Sequence, residues 1–243
     1  MAGALLERSP GVTAMTAERS ADAVAELFRL GRDGDDSALL ARVAAAPSLA
    51  AARDEAGISL PLFCLYHGRD ALAQALADAR PDLDVFEAAA LGRDERLADL
   101  LTVDPSGVRA WSPDGFTPLH LAAFFGRAGA ARRLLEHGAD PSVVARNPMA
   151  VQPLHSAAAG RHVALVAILL RAGAAPNARQ HGGWAPLHAA AANGDRATLL
   201  PLLDAGADPA AANDAGRRAA DLAREGGHHE VADELDLRAR SGP

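Results

Sequence analysis

The stretch TPLHLAA at residues 117–123 is followed by LLEHGADP at residues 134–141. Close copies return twice further along the chain: QPLHSAA at 152–158 with LLRAGAAPN at 169–177, then APLHAAA at 185–191 with LLDAGADP at 202–209. The prolines of the three copies, Pro118, Pro153 and Pro186, are 35 and 33 residues apart. A pattern that returns at such a spacing predicts a stack of repeated units rather than one closed core.

The residues of one unit predict two helices. Thr117 is a good helix N-cap, and Pro118 suits the first helical position, where a missing N–H is tolerated. His120 then stands at the third position, from which a ring nitrogen can bond back toward the cap. Gly126 ends this short helix, and Gly138 ends the second helix in a left-handed conformation that glycine adopts at low cost. Each unit is therefore expected to be a helix–turn–helix.

The repeat resembles the ankyrin repeat family, whose pattern runs G-x-T-P-L-H-x-A-A, then a glycine, then L-L-x-x-G-A-D. The match is close from Ser112 to Pro209. The resemblance implies an all-α ankyrin-repeat solenoid of helix–turn–helix units joined by β-turn-like fingers. A finger is here the turn that precedes the first helix of a repeat. No sheet core is expected.

The repeats weaken toward both ends of the chain. Residues 214–223 keep the register but are more polar, which is typical of a terminal cap whose outer face meets water. Toward the N-terminus, glycines recur at the expected place with one short step of 24 residues between Gly68 and Gly92, where a finger is missing. We expect about seven units and fourteen helices. The predicted segments are a disordered tail at 1–20, diverged repeats at 21–111, well-matched repeats with a cap at 112–237, and a tail at 238–243.

Composition and charge exclude several classes of protein. The net charge of −7 gives no basic excess for nucleic acid or an anionic membrane. No stretch resembles a signal peptide or a membrane-spanning helix, so we expect a cytoplasmic protein. All 24 basic residues are arginine, which favours a GC-rich bacterial genome. Cys64 is the single cysteine and is predicted to be a small buried apolar residue, with a reactive thiol as the alternative.

Histidines are the main candidates for chemistry. His120, His155 and His188 recur once per repeat, which predicts a structural hydrogen-bonding role and places them too far apart for one metal ion. His228 and His229 are adjacent and point in different directions on a helix, so they are expected to be solvated. No nucleophilic triad, phosphate-binding loop or metalloprotease motif is present. The sequence therefore predicts no catalysis, no cofactor and no metal site.

Aromatic residues at nominally exposed positions are the candidate binding site. The resemblance implies that partners contact the residue between the finger glycine and the helix cap, and the two residues after the Ala-Ala pair. Five of the nine aromatic residues fall on these positions: Tyr66, Phe116, Phe124, Phe125 and Trp184. Exposed aromatics are typical of interface anchors. The alternative is that they pack within the stack.

These observations favour a protein–protein interaction module that displays a concave surface. Evenly stacked repeats need little reordering on binding, which keeps the entropic cost low. The alternative is a regulatory or inhibitory subunit bound to one specific enzyme. The expected partner is a protein of unknown identity, with no nucleic acid and no membrane, and the chain is expected to be a monomer on its own.

Overall fold

The computed structural model describes the backbone of residues 10–241 and the side chains of residues 21–240. This part of the chain contains fourteen α-helices in seven consecutive pairs, and its only β-type pairings are two isolated bridges. The all-α prediction and the expected number of helices are therefore confirmed. The helices form two compact units, an N-terminal unit that ends at Asp82 and a C-terminal unit that begins at Leu83.

The N-terminal unit has two helix pairs and a short 3-10 helix over Pro47–Ala51. Its helices are α1 (Pro10–Asp33), α2 (Asp36–Ala45), α3 (Leu60–Tyr66) and α4 (Asp70–Asp78). Helix α1 includes residues 10–20, which we expected to belong to a disordered tail; residues 1–9 of that tail lie outside the described residues. Cys64 lies in α3 with no exposed surface, and burial raises the pKa of its thiol to about 12, which fits the buried apolar reading.

The C-terminal unit has five helix pairs. In each pair a seven-residue first helix is followed by a longer second helix. The first helices are α5 (Val85–Leu91), α7 (Pro118–Phe124), α9 (Pro153–Ala159), α11 (Pro186–Ala192) and α13 (Ala219–Glu225). The second helices are α6 (Asp94–Val103), α8 (Ala128–Glu136), α10 (Val163–Arg171), α12 (Arg196–Asp204) and α14 (His229–Ser241). Residues 238–241 of the predicted C-terminal tail belong to α14, and residues 242–243 lie outside the described residues.

Within the C-terminal unit each first helix stacks on the next first helix, and the second helices α6, α8, α10 and α12 stack in the same order. The Ala-Ala pair of each PLH-type helix has no exposed surface, as for Ala122 and Ala123 in α7. Because a methyl group is the whole side chain, adjacent first helices can approach closely. Leucines of the second helices, such as Leu134 and Leu169, close the other side of this core.

All five first helices of the C-terminal unit begin with the same hydrogen bond. The third residue of each helix accepts a bond from the backbone N–H of the cap residue. This acceptor is a carboxylate in the outer helices, at Glu87 and Asp221, and a histidine Nδ1 in the three between them. The predicted structural role of His120, His155 and His188 is therefore confirmed.

Four fingers precede α7, α9, α11 and α13. Each turns through a residue with positive φ: Gly115, Ala150, Gly183 and Gly216. Backbone N–H groups connect each finger to the one before it: Arg146 donates to Gly115, His181 to Met149 and Asp214 to Gly182, at 2.8, 3.1 and 3.0 Å. The fingers thus form a continuous ladder along one edge of the unit. Between Pro10 and Ser241, no helix is long and apolar enough to cross a bilayer.

Candidate protein-binding surface

Two of the histidines at the third helical position, His120 and His155, also join neighbouring repeats. His120 Nε2 lies 3.1 Å from the carbonyl oxygen of Val151, and His155 Nε2 lies 3.0 Å from that of Ala178. Because Nδ1 accepts a hydrogen bond from the cap, the ring proton belongs on Nε2, which donates to the carbonyl of the following finger. The neutral imidazole therefore accepts a hydrogen bond within its own repeat and donates one to the next repeat.

Burial keeps these imidazoles neutral. It lowers the pKa of His120 from 6.5 to about 4, and it also lowers the pKa values of His155 and His188. Hydrogen bonds to backbone carbonyls act in the opposite direction but are the weaker cause. A lowered pKa at a buried histidine often marks a catalytic group. In His120, however, both ring nitrogens form hydrogen bonds with the cap residue or with the backbone of the next repeat, so the ring has a structural role.

Phe124 is the most exposed of the five predicted contact residues. It ends α7 with 53% of its surface accessible, and its ring meets that of half-buried Phe125 edge-on with 5.0 Å between centroids. The carbonyl of Phe124 accepts a hydrogen bond from His162 Nε2 at 3.1 Å, which ties the end of α7 to the next repeat. The aromatic pair is therefore held on a fixed backbone.

Phe116 and Trp184 lie at the opposite end of the first helices, in the fingers before α7 and α11. Both are half-buried, and each packs on the histidine of its own repeat. The ring centroids are 5.8 Å apart for Phe116 and His120, and 5.9 Å apart for Trp184 and His188. These two aromatics therefore combine a packing role with a partly open face.

Tyr66 lies at the end of α3 in the N-terminal unit and is half-buried. The other four predicted contact residues all belong to the C-terminal unit. Within that unit, Phe124 and Phe125 touch each other, while Phe116 and Trp184 are in separate fingers two repeats apart. The structure thus brings together one predicted pair.

Other exposed groups near the fingers were missed by the sequence prediction. The guanidinium carbon of Arg146 lies 4.1 Å from the ring centroid of Trp111, a cation–π contact between adjacent fingers. Met149 and Val144 are 57% and 47% exposed in the second of these fingers. Trp111 lies four residues before Gly115, and Arg146 lies four residues before Ala150, the positive-φ residues of their fingers. An alignment of the two fingers at these residues would have put Trp111 and Arg146 at equivalent positions.

The described residues contain no group of three or more histidine, cysteine, aspartate or glutamate side chains that could hold a metal ion. The candidate surface is made instead of aromatic, aliphatic and arginine side chains on a row of first helices and fingers. Such a composition suits contact with another macromolecule.

Comparison with protein families supports the same architecture. The family model for ankyrin repeats in three copies matches residues 62–180 and 154–236. The chain belongs to the ankyrin repeat family. The matched residues cover well over half of the sequence and include all five first helices of the C-terminal unit.

Two curated relatives match parts of the chain. The chain is 41% identical to the neurogenic locus Notch protein of Drosophila melanogaster across 88 aligned residues. This alignment covers 36% of this chain and 3% of that protein. It is also 39% identical to a probable E3 ubiquitin-protein ligase of Oryza sativa subsp. japonica across 94 aligned residues. This alignment covers 38% of this chain and 21% of that protein. The chain thus spans only a small part of the length of either relative.

Proposed function

We propose that this ankyrin protein binds a protein partner through the aromatic end of α7, at Phe124 and Phe125, and carries out no catalysis itself. The observation that carries the proposal is the exposure of Phe124. A phenylalanine residue that is 53% accessible has apolar surface in water, and covering that surface favours association. Family membership supports the same reading, since ankyrin repeats are protein–protein interaction modules.

The fixed backbone under the ring also supports binding. The neighbouring ring of Phe125 and the bond from His162 to the Phe124 carbonyl hold this end of α7 in place. A preorganised anchor loses less conformational entropy on binding than a side chain on a mobile loop. We include Phe116 and Trp184 in the proposal as secondary contacts, because each keeps an exposed fraction. Tyr66 in the N-terminal unit is proposed as a contact of that unit by itself.

Single substitutions of the two phenylalanines test the proposal. Truncating an interface anchor commonly costs about 2 kcal/mol, or roughly thirtyfold in affinity. We expect Phe124→Ala to melt close to the parent and to lose partner capture. Phe125→Ala should lower stability as well, because its ring is half-buried. Val103→Ala, at a valine that is 87% exposed at the end of α6, is the control for loss of an exposed apolar side chain.

The assay is affinity capture with the tagged full chain from cells that make it, followed by quantitative mass spectrometry. The proteins held by the parent and by Val103→Ala should be absent or strongly reduced with Phe124→Ala. If Phe124→Ala melts far below the parent, the ring is a packing residue. If it melts normally and captures the same proteins, the site lies elsewhere.

The competing function is a regulatory or inhibitory subunit held permanently by one enzyme. A permanent interface is larger and more apolar than a transient one. In the C-terminal unit the large exposed apolar side chains, which are Val103, Phe124, Val144, Met149 and Leu237, come from several different helices and fingers, which favours transient binding. Sedimentation of the purified chain separates the two, because an obligate subunit should self-associate without its enzyme. A cytoplasmic location and a bacterial origin remain predictions from the sequence.

A further inference from the structure

A cavity of about 340 Å³ opens beside Trp111, at the finger end of α7 and away from Phe124. Its apolar lining comes from Val108 in the 3-10 helix Pro105–Arg109, from the Trp111 ring, and from Ala139 and Val143 in the loop after α8. The volume is at the lower end of the range for ligand pockets and exceeds that of any one aliphatic side chain. The cavity can therefore admit an apolar side chain from outside.

Two arginines flank this cavity without a carboxylate partner. Arg109 lines it and is exposed, and Arg146 is exposed above the Trp111 ring. Neither forms an ion pair with any residue of the described part of the chain, whereas Arg179 and Arg217 in the two following fingers pair with Asp214 and Glu225 at 2.8 and 2.9 Å. This small region is thus basic within a chain of net charge −7.

One carboxylate does lie at the cavity, that of Asp140. Its Oδ1 accepts a hydrogen bond from the backbone N–H of Ser142 at 2.8 Å, which closes the turn after α8. Asp140 therefore stabilises its own loop, and both guanidinium groups can still bind a carboxylate of a partner.

The stacking of Arg146 on Trp111 prepares it for a carboxylate. A guanidinium group that lies over an aromatic ring uses its face for the contact, and its N–H donors remain in the plane of the group. Those donors can bind a carboxylate in a bidentate manner. Because the ring already restricts the side chain, less rotamer freedom is lost when the carboxylate binds.

The finger that carries Arg146 has two further exposed apolar side chains. Val144 and Met149 are 47% and 57% exposed there, and Ala150 has a φ of 49°, a left-handed conformation that is unusual for a residue other than glycine. The cavity, the two unpaired arginines and this apolar finger together offer more groups than a small molecule in the cavity would contact. This favours a polypeptide segment as the occupant.

We propose that the cavity beside Trp111 receives an apolar side chain of an acidic partner segment, and that Arg109 and Arg146 bind carboxylates adjacent to it. The proposal rests on the proposed function, because it names the chemistry of the protein partner. Val144 and Met149 contact further apolar residues of the same segment. The aromatic pair at Phe124 and Phe125 is a separate contact at the other end of α7.

Selection from a phage-displayed library of random twelve-residue peptides tests this chemistry on the full chain. The peptides held by the parent should be enriched in aspartate and glutamate next to leucine, isoleucine, methionine or phenylalanine. For the best peptide, labelled with fluorescein, polarisation should show about a tenfold loss of affinity for Arg146→Gln and again for Arg109→Gln. Raising the salt concentration should also weaken binding.

Matched variants separate the cavity from general effects of charge and size. Val143→Phe fills the cavity and should abolish peptide binding, whereas Val103→Phe makes the same change at an exposed valine and should not. Arg132→Gln and Arg133→Gln remove exposed charges from α8 and should leave affinity unchanged. Melting temperatures of all variants are measured, and a variant that melts far below the parent is replaced by Val143→Met or Arg146→Lys.

Three outcomes overturn the inference. The parent selects no peptides, it selects peptides without acidic enrichment, or the selected peptides bind Arg146→Gln and Val143→Phe as well as the parent. If their binding depends on Phe124 alone, the inference fails while the proposed function stands. If cellular capture is also insensitive to Phe124→Ala, the proposed function fails too.

Discussion

Lowering the pH from 7 to 5 should destabilise the C-terminal unit through its buried histidines, and His120→Gln should remove a defined part of that loss. Burial holds the pKa of His120 at about 4, against 6.5 in an exposed chain. Between these values the unfolded chain binds a proton that the folded chain does not. Folded stability is therefore complete above pH 6.5 and is lost progressively as the pH falls toward 4.

The size of the effect follows from the shift. At 1.36 kcal/mol per pKa unit, His120 alone accounts for at most about 3 kcal/mol, of which about 2 kcal/mol is lost by pH 5. His155 and His188 have lowered pKa values for the same reason and add to the loss. The carboxylates with lowered pKa values, such as Asp221 and Asp236, titrate mainly below pH 5 and contribute little in this window.

The assay is urea denaturation of the full chain at pH 7, 6 and 5, followed by circular dichroism. His120→Gln should be less stable than the parent at pH 7 and should lose about 2 kcal/mol less than the parent between pH 7 and pH 5. His181→Gln, at an exposed histidine in the finger before α11, is the matched control substitution with which His120→Gln is compared. An unfolding free energy that is equal at pH 7 and pH 5, or the same loss in His120→Gln, would refute the reasoning.

Two further predictions concern the starts of the repeats. Ala185→Thr should stabilise the chain by about 1 kcal/mol in denaturant melts, because Ala185 caps α11 without a side-chain acceptor whereas Thr117 caps α7 with its hydroxyl; a loss of stability would contradict the register. Gly115→Ala should destabilise the chain more than Gly216→Ala. Both glycines have positive φ, but a Cβ at Gly115 would lie 2.5 Å from the carbonyl oxygen of Arg146, while at Gly216 it would meet nothing within 4 Å. Equal melting temperatures for the two variants would show that the fingers are not in close contact.

Much of the fold could be predicted from the sequence because its determinants are local. The N-cap, the proline at the first helical position and the histidine at the third stand within four residues, so one short pattern identifies α7, α9 and α11. The pattern also gave the role of His120, since its capping partner is three residues away. The beginning of helix α1 at Pro10 was not predicted, although Ser9-Pro10 repeats the cap-and-proline order of Thr117-Pro118.

The candidate surface was less predictable because it depends on contacts between repeats. Phe124 and Phe125 are adjacent in sequence, and which ring is exposed depends on where α7 ends and how the next repeat packs there. Trp111 and Arg146 are 35 residues apart, and their contact exists only because adjacent fingers are hydrogen-bonded in register. The cavity beside them needs a third segment, the loop after α8, which no short sequence pattern includes.

In the C-terminal unit, side-chain hydrogen bonds connect each of several repeats to the repeat that follows it in the chain. His120 and His155 donate to carbonyls of the following repeat, and side chains of later repeats, Arg127 and His162, donate back to the carbonyls of Ala90 and Phe124. A ribosome releases the N-terminal repeats first, at roughly 5–20 residues per second. During synthesis the last repeat to emerge therefore lacks its hydrogen bonds to the next repeat for a few seconds. A nascent chain that is halted between two repeats ends in a repeat whose inter-repeat donors and acceptors have no protein partner.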